Sequence, residues 1–380
     1  MNDSSIPARR FYPYLCENSK YLVFGGETIQ GIRTFGDATC LLMNKFRDDF
    51  GGNLCPSMRD LIKNPMLLQS GIAATATNLA QHGLDPDAEI SRTVVRDGFI
   101  DSSFFHHWHH YRWHWNGRTI YNVHPELARA FIETELTVAP HVLRIDYPTV
   151  YLGLLDLGLT VWHQTTGEHP LNGMYISIDV RDDEPWIFVV VVGEAHPGTC
   201  DDDNSLCSFS LPLDGETDIE ELVRKIDANP TRQQLLGPNA KRFVPWARLA
   251  VNALLYIQHV AEDSVHLQNY GVPASKLAHA EKIKSKKQRE EFLQKYRAPV
   301  RYVQLGEAFA KSGMSGSGDD DSERAVVRHL VRGHWRWQVF GKGRLSRKLL
   351  WIKPHWRGSE DASSQATQKT TKIVNVKKFE

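Results

Sequence analysis

Cysteine is scarce in this 380-residue chain, and what there is shows no pairing pattern. Cys16, Cys40, Cys55, Cys200 and Cys207 are odd in number and scattered, and no two stand at the C-x2-C spacing of a zinc site. That excludes a disulfide framework and fits a reducing cytoplasm. Long apolar runs are missing as well: the longest, Trp186 to Val192, is far too short to cross a bilayer. The first residues, MNDSSIPARRFYPYL, lack the apolar centre of a secretory signal. The expectation is a protein neither exported nor membrane-embedded. Net charge is absent too, because 45 Lys and Arg balance 45 Asp and Glu, so the overall charge points to no partner. No Gly-rich phosphate loop, nucleophile elbow or H-E-x-x-H motif occurs, and no cofactor is expected.

What is present suits an ordinary globular protein, with 41% hydrophobic and 24% charged residues and enough length for one large or two intermediate domains. The pattern implies an α+β class: a mostly antiparallel central sheet packed by helices, a helical N-terminal region and a basic C-terminal β-hairpin module. Helices fit 38–50, ending at Gly51-Gly52, and 67–82. His124-Pro125 opens a helix to about Val138. Tyr175 to Val180 alternates, Trp186 to Val192 is a β-branched run of a strand covered on both faces, and Leu206 to Leu211 alternates again; together they predict an antiparallel meander. Asp218 to Asp227 reads as a short helix. Trp246 to Val260 reads as a deeply buried helix, 281–297 as a mixed-charge helix with a solvated face, and Arg301 to Leu305 as a further strand. The predicted divisions are 1–100, a core at 101–312, a Gly/Ser/Asp linker at 313–323, the basic module at 324–358 and a loose polar tail at 359–380.

Two clusters invite metal chemistry. In the segment FFHHWHHYRWHW, His106, His110 and His114 would share a helix face, with Phe104, Trp108, Tyr111 and Trp115 forming an aromatic stripe. No carboxylate or cysteine stands nearby at ligand spacing, so packing is the favoured reading and no metal is assigned. Asn116-Gly117 carries a hairpin signal, but a helix to about His110 followed by a strand from Arg118 to Val123 fits better. Glu194, His196 and Asp201 to Asp203 could hold Mg2+ at a strand end, yet acidic loops there are more often solvated turns.

The most informative stretch is 324–358, with ten Lys or Arg, no Asp or Glu, and four tryptophans, Trp335, Trp337, Trp351 and Trp356. Gly341-Lys342-Gly343 predicts a turn between two strands. In an extended first strand His334, Arg336 and Gln338 point one way, while Trp335, Trp337 and Val339 point the other, toward the core. Arginine forks suit phosphates and indoles suit unpaired bases, so Arg332, His334, Trp335, Arg336, Arg344, Arg347, Trp351 and Arg357 are candidate contacts to nucleic acid or a protein partner. RNA contact, docking on an acidic protein surface, and a hairpin with hydrated arginines remain open, with RNA favoured. A metal-free ribonuclease is the enzymatic alternative: His334 or His355 as acid/base and Arg336 or Arg344 against the phosphorane-like charge.

Arg332-Gly333-His334-Trp335, Gly341-x-Gly343, Trp351 and Pro354 resemble the C-terminal signature of the type V-A anti-CRISPR family carried by phages and plasmids. The resemblance extends backward through RYVQLGEAF (301–309), VNALLYIQHVAED (251–263), YISIDV (175–180) and more faintly IYNV, covering about 100–358. It implies a protein that suppresses production of a type V CRISPR effector nuclease in a bacterial cytoplasm. The implied partners are the effector's nascent polypeptide as it leaves the ribosome, the ribosome and the mRNA, which is then lost. The family supplies no catalytic set.

Overall fold

The computed structural model describes 118–306 and 333–352 apart from breaks, the longest at 194–205, together with the backbone of four further strands and isolated positions before 118. The strands are β1 (Tyr21–Phe24), β2 (Glu27–Gln30), β3 (Thr119–Val123), β4 (Val150–Gly153), β5 (Thr160–His163), β6 (Gly167–Arg181) and β7 (Glu184–Gly193). They continue with β8 (Leu206–Pro212), β9 (Val265–His266), β10 (Arg301–Leu305), β11 (His329–Val331), β12 (His334–Phe340), β13 (Ser346–Ile352) and β14 (His355–Arg357). The helices are α1 (Pro125–Ile132), α2 (Ile219–Asp227), α3 (Pro230–Leu236), α4 (Phe243–His259), α5 (Ala274–Glu281) and α6 (Lys286–Tyr296). The helices expected at 38–50 and 67–82 lie outside the described residues save for helical Ala76 and Ala80. The linker, the tail, the acidic cluster around Glu194 and Asp202, and His106, His110 and His114 lie outside them too.

One sheet organises the core, in the order β8-β7-β6-β4-β3-β10-β9 with β5 beside β6. The expected meander is β6-β7-β8, antiparallel throughout. β3 runs parallel to both β4 and β10, and α1 makes the crossover that a parallel β3-β4 pair requires. The sheet is therefore mixed, mostly antiparallel, and the α+β expectation holds.

Alternation along the strands divides the buried side chains between two faces. Met174, Ile176, Ile178, Ile187, Val189, Val191, Phe209 and Leu211 join the core that the helices complete. The opposite face carries Tyr151, Tyr175, Ser177, Asp179 and Phe188. Trp108, His109 and Trp113, each fully buried, pack there. His109 Nδ1 lies 2.8 Å from Ser177 Oγ, Arg112 pairs with Asp179 at 2.5 Å, and Trp113 donates to the Thr119 carbonyl at 2.7 Å. Packing is thus the role of the described part of the aromatic segment. Among the described residues no group of three metal-ligating side chains forms.

Several boundaries differ from expectation. α1 ends at Ile132 rather than near Val138, because Asn252 inserts its amide where the next helical N–H groups would lie (2.9 Å to the Phe131 carbonyl, 3.0 Å to that of Thr134). The helix expected to end near His110 still closes a turn at Asn116, whose N donates to the Arg112 carbonyl at 2.8 Å, and the strand expected from Arg118 begins at Thr119. The helix expected over 281–297 begins at Lys286, since Ser285 receives the amides of Gln288 and Arg289 and caps it. α5 and α6 fold against each other through Ala280 and Leu293, with the outer side of α6 exposed.

Candidate functional site

The C-terminal hairpin stands on a buried platform built from α1, α4 and the chain just after α1. α4 is apolar on nearly every side, which places it at the centre of the helix layer. Its one polar interruption deep in the core is Asn252, fully buried. The Asn252 Oδ1 accepts from the Trp335 indole N–H at 2.7 Å, while its Nδ2 serves the two carbonyls after α1. Only one orientation of the amide meets all three partners. Trp351 stacks beside Trp335 at 6.3 Å, lies 5.4 Å from Phe131 and 5.6 Å from Tyr256, and donates to Thr134 Oγ1 at 3.4 Å. His334 completes the junction through a backbone bridge to Glu135.

The segment beneath is fixed by Glu220, which is only 3% exposed. Its Oε2 accepts from Leu136 N at 2.9 Å and its Oε1 from Arg248 at 2.5 Å, with Arg224 at 3.5 Å. Burial opposes ionisation of this carboxyl, but the Arg248 hydrogen bond, the Leu136 amide and the two guanidinium charges outweigh it and hold the group below the usual carboxylate range. The platform is therefore a closed ion pair, and its charges are spent internally.

The hairpin itself is different. β12 and β13 pair in unbroken register from His334↔Ile352 to Phe340↔Ser346, joined at 341–345 as the Gly341-Lys342-Gly343 turn predicted. Directly opposed residues share a face. One face holds Trp335 and Trp351, then Trp337 and Leu349, then Val339 and Arg347; the other holds His334, Arg336, Gln338 and Phe340 against Ile352, Leu350, Lys348 and Ser346. The expectation that Trp335, Trp337 and Val339 all pack is met only at the base. Trp335 is 4% exposed, whereas Trp337 is 51% and Val339 41% exposed, because the hairpin runs beyond the core after Leu349.

Among the described residues, Arg336, Arg344 and Arg347 are exposed and meet no carboxylate. Arg336 reaches only Gln338, at 3.4 Å, and Lys348 lies 5.9 Å from the Phe340 ring centre. Arg344 sits in the turn at φ +57°. His334 is half-buried on the Arg336 face. His355 and Arg357 lie on β14, which pairs with β11, and nothing is described of their side chains; Arg332 lies outside the described residues. Asn252 and Glu220 were not singled out from the sequence, although an amide in the middle of an apolar helix was a visible signal.

Fold and site together define an α+β protein with a mixed sheet that carries an anchored cationic hairpin. The family model described as AcrVA2-like, anti-CRISPR type V subtype A2, matches residues 121–358, more than half of the chain, so the protein belongs to that family. The match starts at Tyr121, inside β3, and ends just past β14. A solved structure described as the crystal structure of AcrVA2 aligns at 15% identity and a TM-score of 0.41, over 84% of this chain and 93% of that one. Curated proteins give no match. Among the described residues, no helix is long and apolar enough to cross a membrane.

Proposed function

We propose that this anti-CRISPR family member suppresses production of a CRISPR effector nuclease in a bacterial cytoplasm, on behalf of a phage or plasmid. It does so by recognising the effector's nascent chain and causing loss of its mRNA. The observation that carries this reading is the hairpin: two indoles lock its base into the core, while Arg336, Arg344 and Arg347 are exposed and meet no carboxylate among the described residues. A surface of that charge suits the ribosome or the message. An emerging peptide calls for a separate surface, and the outer edge of β8, which ends the main sheet among the described residues, is suited to strand addition. His334 and Arg336 sharing one face favours the ribonuclease as a second reading.

The test is a labelled effector message incubated with pure protein, with and without translating ribosomes. Message loss is expected only while the effector's coding sequence is translated. Cleavage without ribosomes, abolished by His334→Ala, would establish the ribonuclease instead.

A further inference from the structure

Four large hydrophobic side chains are exposed among the described residues, and three of them, Trp337, Val339 and Phe340, lie on the outer half of one strand, β12. The same half of the hairpin holds Lys342, Arg344, Arg347 and Lys348, and the whole of 324–358 has no carboxylate. Exposed apolar side chains beside cations that meet no carboxylate among the described residues are an unusual combination for a surface that only meets water.

We propose that the outer half of the Trp337 face is a binding site for unpaired RNA. Trp337 is the stacking platform, and Arg347 and Arg344 are the phosphate contacts. The register places Val339 opposite Arg347 and Trp337 opposite Leu349, so Arg347 is the diagonal neighbour of the indole on the same face. A base laid on Trp337 therefore has a guanidinium beside it for its own or the next phosphate. Arg344 adds a second at the turn, at a backbone angle that favours glycine, so the chain keeps a cation where a small residue would be easier. Val339 extends the apolar floor toward the tip.

Three physical arguments select this ligand. Base faces in a duplex are covered by their neighbours, so an exposed indole has a partner only in a single strand. An acidic protein surface would satisfy the cations but leave the indole and Val339 unmatched. A protein partner also needs about 800 Å² on each side, more than the tip of a hairpin of two seven-residue strands offers, whereas one or two stacked bases with their phosphates fit it. The choice of RNA over DNA rests on the role proposed above at a translated message; the stacking site does not.

The experiment uses the full chain and a 5′-labelled, unstructured 12-nucleotide RNA, followed by fluorescence anisotropy. The same RNA annealed to its complement and DNA of the same sequence serve as the other arms. Trp337→Ala is expected to weaken single-strand binding about ten-fold or more, while Trp337→Phe, which keeps a ring, stays within about three-fold. The duplex is expected to bind about ten-fold more weakly. Arg344→Ala and Arg347→Ala should each reduce the slope of log affinity against log salt by about 0.7. Unchanged binding by folded Trp337→Ala would overturn the proposal, as would equal affinity for the duplex or a preference for DNA. So would an acidic peptide binding where RNA does not, or a homodimer that Trp337→Ala splits. Retained RNA binding alongside normal effector production would sink the proposed function alone, and suppression without RNA binding would sink this site alone.

Discussion

A single amide, that of Asn252, ends one helix, occupies the middle of another and receives the first tryptophan of the hairpin. Two of its three partners are backbone carbonyls, which carry no sequence signature, so periodicity along α4 could reveal the apolar face but not why one position is polar. Replacing Asn252 by Ala would strand a buried indole N–H, at a cost of about 1–3 kcal/mol, and take a donor from the Phe131 and Thr134 carbonyls, of which the first keeps the Thr134 amide at 3.1 Å. Chemical denaturation of Asn252→Ala should therefore show a loss of at least about 2 kcal/mol. A change within about 0.5 kcal/mol, the range of ordinary surface substitutions, would mean that the amide is not the link. Glu220 teaches the same lesson. Read on the sequence it is one more acid in the first turn of α2, favourable toward the helix dipole, yet it lies buried under Arg248 because the chain 84 residues earlier needs its oxygen at Leu136.

Secondary-structure elements were legible where one physical signal dominated. The β-branched run of β7 and the alternation of β6 and β8 gave the meander. The apolar length of α4 gave the buried helix, and Gly341 with Gly343 gave the hairpin turn. Elements set by tertiary partners were not. β4 and β5 are four residues each, too short for a period to be read, and α3 is a seven-residue helix opened by Asn229 and Pro230. In β12 the alternation is correct, but burial stops halfway because the strand outlasts the core beneath it. This division within one strand has a direct consequence. Trp335→Ala should cost about 3–5 kcal/mol, the range for a buried aromatic, whereas Trp337→Ala should change stability by no more than about 0.5 kcal/mol. Paired thermal or urea unfolding of the two variants measures it, and equal losses would show that the outer half is packed as well.

Across the whole molecule, charge is balanced in total and unbalanced in place. In the body of the protein, carboxylates and guanidiniums answer one another: Glu220 with Arg248 and Arg224, Asp179 with Arg112, Glu168 with Arg242. In the hairpin no such answer exists among the described residues. A neutral net charge therefore concealed a surface whose cations meet no carboxylate among the described residues, and its position in the chain, within a 35-residue stretch free of acid, made it visible beforehand. The fold supplies a rigid base for that surface, and membership of the anti-CRISPR family supplies the setting in which it acts. The measurement that tests this most directly is effector output and message level in a translation extract, with wild-type protein against a folded triple variant, Trp337→Ala, Arg344→Ala and Arg347→Ala. Wild-type protein should lower both quantities and the triple variant neither; a triple variant as suppressive as the wild type would contradict the assignment of the hairpin as the working surface.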